Sequence, residues 1–199
     1  MIQKISIPVL SGFMLLFLFV FLPNCDRSKN LKVYDFGGDF TLTDQAGNAF
    51  HFKDLRGKTV LLFFGFTLCP DICPATMSKL RKVYELLEKD SDKIQIVFIS
   101  VDPERDSPEK LKKYLDYFNM GVIGLTGSLA DVKSVAEQYH ARFAKVTTEQ
   151  SAAGYLVEHS TSTYLIDRNG KVRYLFRQSE NPKLMASIIE ILLDDKSSE

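Results

Sequence analysis

The chain has 199 residues, with 25 Lys and Arg against 25 Asp and Glu, so its formal net charge is zero. No basic stripe stands out, and nucleic acid is not expected as a partner. Three cysteines, Cys25, Cys69 and Cys73, are too few for a disulfide scaffold, and only the last two lie close in sequence.

Residues 1–25 read as an export segment. Lys4 gives a sparse positive start, Val9–Leu22 is a nearly unbroken apolar run, and Pro23-Asn24-Cys25 precedes polar residues 26–30. The run is nearer to a signal-peptide core than to a full span of about 20 residues, and counting from Ile5 makes it a marginal span. Three outcomes stay open: a cleaved signal, an uncleaved membrane anchor, or a lipoprotein signal with Cys25 acylated. Leu22-Pro23-Asn24-Cys25 resembles a lipobox, with Asn24 where Gly, Ala or Ser is usual. Each outcome implies export, which places the thiols where disulfides persist. The expectation is a membrane-tethered protein facing the periplasm or cell exterior. Residues 26–37 read as a linker, 38–195 as one domain and 196–199 as a polar tail.

Within the domain, Asp39–Asp44 and Ala49–Lys53 flank Gln45-Ala46-Gly47-Asn48 and predict a β-hairpin. Alternation puts His51 opposite Phe50 and Phe52, on the wetter face, with no chemistry expected of it. Thr59–Phe64 reads as a buried strand. It runs through Gly65-Phe66-Thr67-Leu68-Cys69-Pro70-Asp71-Ile72-Cys73-Pro74 into a helix over Ala75–Lys89, striped by Met77, Leu80, Val83, Tyr84 and Leu87. Proline suits the first helical position and disfavours helix in the residue before it, so Cys73 is expected as N-cap. Both sulfurs then sit near a helix N-terminus, whose field favours thiolate. Two such thiolates suit either a reversible disulfide or a soft metal.

Lys93–Val101 predicts a second core strand, parallel to the first. Asp102–Asp106 reads as a loop, with Ser107 and Pro108 capping a helix to about Phe118. Val122–Thr126 is a short strand, and Ser128 caps a helix ending near His140. Phe143–Thr147, a long β segment Tyr155–Asp167, the turn Arg168-Asn169-Gly170, a return strand Lys171–Arg177 and a helix from Asn181-Pro182 to about Leu193 complete the chain. The order βαβαβα then ββα predicts an α/β, thioredoxin-like fold: a central mixed sheet flanked by helices, with an N-terminal β-hairpin and an inserted strand and helix. No proline stands between Pro108 and Pro182. Where redox members of that superfamily place a cis-proline, this chain has His159-Ser160-Thr161, and an imidazole, unlike proline, can ligate a metal.

Three stretches carry a resemblance: Phe66–Pro74, Ser100-Val-Asp-Pro-Glu-Arg-Asp-Ser-Pro108, and Tyr155-Leu-Val-Glu-His-Ser160 followed by Tyr164-Leu-Ile-Asp167. Together they resemble the SCO/SenC family of copper-binding thioredoxin-like proteins in cytochrome c oxidase assembly, over roughly Gly38–Leu193. The resemblance implies a copper ion held by Cys69, Cys73 and His159. Leu68 departs from the His, polar or aromatic residue many members carry, at a position that is not a ligand. The implied function is copper delivery to the dinuclear copper centre of cytochrome c oxidase subunit II, with a copper-donating chaperone or thiol reductase as a further partner. The donor set agrees, since Cu(I) is soft and accepts two thiolates and an imidazole. Structural zinc usually takes four protein ligands, and no fourth Cys or His is evident. Asp71 is one candidate extra ligand, read in preference as a surface carboxylate near the metal, and Asp102 and Asp106 read as serving the loop and the helix start, with contact to a partner left open.

The alternative is an enzyme, in which Cys69 and Cys73 form the redox-active pair of a thiol–disulfide oxidoreductase that keeps the oxidase's copper-site cysteines reduced. A peroxidase fits less well, because the Thr-x-x-Cys spacing is missing and Leu62 stands at the motif proline.

Overall fold

The computed structural model describes residues 31–147 and 154–195. The export segment, Cys25 and the polar tail lie outside these residues. No helix among the described residues is long and apolar enough to cross a membrane.

Among the described residues, nine strands and four helices follow one another: β1 Thr41–Asp44, β2 Ala49–His51, β3 Thr59–Gly65, α1 Ile72–Leu86, β4 Ile94–Ser100, α2 Pro108–Asp116, β5 Ile123–Thr126, α3 Leu129–Gln138, β6 Phe143–Thr147, β7 Tyr155–His159, β8 Thr163–Ile166, β9 Val172–Phe176 and α4 Pro182–Leu193. Seven strands form one mixed sheet in the order β2-β1-β5-β4-β3-β8-β9. The strands β3, β4 and β5 are parallel, and β8 and β9 run antiparallel to their neighbours. Helices α1 and α4 pack on each other, and α2 packs on β5. This is the thioredoxin-like architecture expected from the sequence.

Strand β3 is the centre of the core. All seven residues are buried, and Val60, Leu61, Leu62, Phe63 and Phe64 expose 2% or less. Burial of each such side chain contributes about 1.5–3 kcal/mol. A strand covered on both faces needs an unbroken apolar run, which the sequence supplies. Helix starts follow local chemistry: the side chains of Ser107, Ser128 and Asn181 accept N–H bonds from Lys110, Asp131 and Leu184.

Several boundaries differ from expectation. Helix α1 ends at Leu86, and Glu88–Lys93 is a 3-10 segment. The second hairpin strand stops at His51, before a 3-10 turn over Phe52–Leu55 that buries Phe52 in the core. His51 is exposed and meets the Thr41 hydroxyl at 2.9 Å. The single β segment expected over Tyr155–Asp167 is two strands. Strand β7 pairs with β6 in a separate two-stranded sheet, and β8 joins the main sheet beside β3. Residues 31–38 are docked rather than a free linker. Tyr34 N–H donates to Val172 O and Gly37 N–H to Gln138 O, both at 2.9 Å, and Phe36 stacks on His140.

At the edge strand, buried Arg173 meets Asp167 at 3.1 Å and Asp195 at 3.2 Å, and donates to the Leu31 carbonyl at 3.1 Å. One guanidinium thus fastens both ends of the domain. Leu31 and Arg173 lie at the pole where β3 begins; the cysteines follow its other end.

Candidate metal centre

The cysteine loop leaves the C-terminal end of β3. Helix α1 begins earlier than expected: Asp71 is the N-cap, and Cys73 lies inside the first turn. The Asp71 side chain makes no capping bond. Instead the Cys69 sulfur accepts the Cys73 backbone N–H at 3.4 Å, taking the place of a capping oxygen. Pro74 is tolerated there because N–H groups of a first turn have no helical partner.

Cys73 is fully buried and Cys69 half-buried. The thiols are unpaired. Behind Cys73, a Cβ built on Gly65 would lie 2.9 Å from Sγ and 2.8 Å from the rings of Phe63 and Phe98. Only glycine leaves room for the sulfur.

His159 ends β7, opposite Phe143 of β6. Its Nδ1 lies 2.9 Å from the Ser160 carbonyl, which can only accept, so Nδ1 carries a proton. In the neutral ring the Nε2 lone pair then faces Cys73 Sγ, 3.4 Å away. Rings of Phe63 and Phe66 wall the imidazole edge-on, with centroids 6.0 and 5.8 Å from its own. Ser160 is held by Arg142 at both ends: its N–H donates to the Arg142 carbonyl at 2.9 Å, and its hydroxyl accepts the Arg142 N–H at 3.0 Å.

The ligand atoms of Cys69, Cys73 and His159 all lie within 4.8 Å of one another, and among the described residues no other such group converges. Two thiolates on one ion at about 2.3 Å stand at most about 4.6 Å apart, so the three atoms are gathered on the scale of one shared ion. Asp71 is exposed and outside it. His140 and His51 are engaged elsewhere.

The two thiols differ sharply. The hydrogen bond from Cys73 lowers the Cys69 thiol to about 4, against the opposing effect of burial and with help from the backbone N–H groups of Cys73 and Asp71. The same bond, with burial, pushes Cys73 well above the ordinary thiol range. The pair therefore holds one proton on Cys73, while Cys69 is a thiolate.

Two buried carboxylates, expected to serve a loop and a helix start, also hold both halves of the site. Asp106 accepts Thr67 N–H at 3.0 Å and the hydroxyls of Thr67 and Ser100 at 2.6 Å each. The Ser100 hydroxyl accepts Asp102 N–H at 3.1 Å. Asp102 pairs with Arg105 and accepts the Tyr155 hydroxyl at 2.8 Å. Thr67, Ser100 and Tyr155 were not singled out individually by the sequence. Their signal is that β4 ends beside β3, and sites in such sheets gather at the carboxyl ends of parallel strands.

The chain matches SCO1/SenC over residues 28–194. It belongs to the SCO1/SenC family. An SCO2-like protein of Rickettsia felis is 38% identical over 183 residues, covering 90% of this chain and 89% of that protein. The structure of Bradyrhizobium japonicum ScoI with copper bound is 39% identical, with a TM-score of 0.71, covering 79% of this chain and 99% of that one. BsSco, described as a member of the Sco family of cytochrome c oxidase assembly proteins with a disulfide switch, is 25% identical, with a TM-score of 0.66, covering 84% of this chain and 98% of its own.

Proposed function

We propose that this SCO1/SenC protein is a copper chaperone. It binds one copper ion through Cys69, Cys73 and His159 and passes it to the dinuclear copper centre of cytochrome c oxidase subunit II. Residues 1–25 export it and leave it tethered to the membrane, facing the periplasm or cell exterior. The observation that carries the reading is the convergence of two thiols and one imidazole within 4.8 Å. Copper bound in the similar ScoI structure supports it.

The half-buried set suits transfer. Cys69 is already a thiolate, so copper loading displaces only the proton on Cys73. A three-coordinate ion leaves room for an incoming thiolate: one metal–sulfur bond to the acceptor forms as one to Cys69 breaks. Cys69 is the more accessible sulfur, and a groove lined by Arg142, Phe143, Glu158 and His159 opens beside the imidazole.

The test is metal analysis of the purified full chain, reduced and oxidised. The reduced form is expected to hold one copper per chain and to protect two thiols from titration. The form with a Cys69–Cys73 disulfide is expected to bind far more weakly, because the thiolates are the ligands. Equal affinity in both forms refutes the site.

A second reading has one observation in its favour. A half-exposed low-pKa Cys69 beside a buried, protonated Cys73 is the arrangement of an attacking and a resolving thiol. The same pair would then reduce a disulfide between the acceptor's cysteines: the Cys69 thiolate attacks one acceptor sulfur, Cys73 resolves the mixed disulfide, and the pair gives two electrons and its one proton as it closes, the second proton coming from water. His159→Ala separates the readings, because dithiol exchange has no required use for an imidazole. Loss of oxidase assembly in cells, with dithiol cycling retained in the purified protein, supports delivery. Untouched assembly, alongside its loss in Cys69→Ala, supports the reductase.

A further inference from the structure

The hairpin carrying His159 is not hydrogen-bonded into the main sheet. Strand β7 pairs only with β6, and the two form their own sheet. Something else must fix its angle, or the imidazole would not stand 3.4 Å from Cys73.

Polar contacts fasten the end of the hairpin remote from His159, and all lead to the loop 102–105. Asp102 accepts the Tyr155 hydroxyl at 2.8 Å. Arg105 donates to the Tyr155 carbonyl at 3.1 Å, and its guanidinium lies 3.6 Å from the Tyr155 ring centre. Lys145 of β6 pairs with Glu104 at 2.6 Å and lies 4.8 Å from the same ring. Asp102 is fully buried and paired with Arg105, so it is a fixed anchor. Through Ser100 the loop also reaches Asp106, which holds Thr67 two residues before Cys69.

We propose that Tyr155 is a positioning residue for His159: its hydroxyl on Asp102 and its ring against Arg105 fix the β6–β7 hairpin so that Nε2 meets the thiols. The loop 102–106 then sets the distance between the two halves of the donor set, Asp102 holding the histidine side and Asp106 the cysteine side. This rests on the reading of His159 as a copper ligand, and one arm of the test needs no metal. Tyr155 is half-buried, so removing its hydroxyl leaves the ring and its stacking in place.

The test uses the full chain in detergent micelles with Tyr155→Phe and Thr67→Val. In metal-free protein, nitrogen-15 shifts of His159 report its tautomer and its contact with the Ser160 carbonyl. Tyr155→Phe is expected to move those shifts toward tautomer exchange and leave Cys69 alkylation at the wild-type rate. Cu(II) affinity is expected to fall about 10–30-fold, as for loss of a partner that orients a ligand. Cu(I), content with two thiolates, is expected to lose less than about threefold. Thr67→Val is expected to give the mirror pattern, with altered Cys69 alkylation and an unchanged His159 spectrum. Should Tyr155→Phe unfold, Lys145→Ala cuts the exposed contact to Glu104 and supplies the same test at lower amplitude. A wild-type His159 spectrum and Cu(II) to Cu(I) ratio in Tyr155→Phe overturn the proposal. So does a parallel decline of Cu(I) affinity, Cu(II) affinity and thiol reactivity, which marks general loosening. A shifted His159 spectrum in a chain that binds no copper upholds the positioning and refutes the copper reading.

Discussion

Gly65→Ala joins packing to the site most directly. Its Cβ would meet Phe63 and Phe98 at 2.8 Å and Cys73 Sγ at 2.9 Å, where carbon contacts settle at about 3.5–4.0 Å. Each approach is short by over half an ångström. Both rings are fully buried, and Cys73 is held by the first turn of α1, so no neighbour is a free side-chain end. The backbone of Gly65 is not in the left-handed region, so the cost is crowding alone. Overpacking of this kind costs about 1–3 kcal/mol. For a domain of this size, about 2 kcal/mol lowers Tm by about 4–8 °C. The added methyl presses directly on the Cys73 sulfur, so copper affinity is expected to fall about tenfold or more, as when a ligand loses its supporting contacts. Urea unfolding of the metal-free chain reads the first effect, and competition titration with a copper chelator reads the second. Wild-type stability and affinity together would refute the argument that Cys73 is packed against β3 with no slack.

His159→Ala is expected to lower Cu(II) retention most and Cu(I) less, read by competition titration in each oxidation state, because Cu(I) tolerates a two-thiolate site. Of the two site cysteines, iodoacetamide should label Cys69 and spare Cys73 in the reduced, metal-free chain. With the folded Cys69 thiol lowered to about 4, its thiolate is present at every pH above that value and is lost only as pH falls through it. The rate should therefore stay nearly level from pH 8 to pH 5, where an ordinary thiol of pKa about 8.5 slows about tenfold per unit; a midpoint near 8 would refute the assigned proton. Arg173→Met leaves Asp167 and Asp195 buried without their shared cation, and is expected to cost about 3–5 kcal/mol in urea unfolding while leaving Cys69 alkylation unchanged. Mass spectrometry of the mature N-terminus distinguishes a lipid on Cys25, an intact Met1 in the membrane fraction, and a cleaved signal; a free Met1 in soluble cytoplasmic protein refutes export.

Much of the fold and two of the three converging side chains were legible because their signals are local. The apolar run of β3, the caps Ser107, Ser128 and Asn181, and the Cys-x-x-x-Cys-Pro spacing each act within a few residues, and the structure keeps all of them. His159 was legible from its place before β8 and from the family resemblance, not from its own neighbours. The start of α1 was misread because a sulfur four residues back caps the turn, a role that helix-capping preferences assign to oxygen. Tyr155–Asp167 was misread as one strand because both halves favour extended backbone. Only the choice of partner, β6 for one and β3 for the other, divides them.

The sequence by itself determined which segments are strands and helices, which stretch brings two thiols to a helix N-terminus, and which family the chain resembles. Tertiary structure decided what meets across the chain. Cys73 and His159 are 86 residues apart, Tyr155 and Asp102 are 53, and Thr67 and Asp106 are 39. No periodicity or capping rule spans such separations. Those pairs exist because the parallel sheet brings the ends of β3 and β4 to one edge and the β6–β7 hairpin folds back over it, so that buried carboxylates add donors from distant segments to those supplied by their own loop.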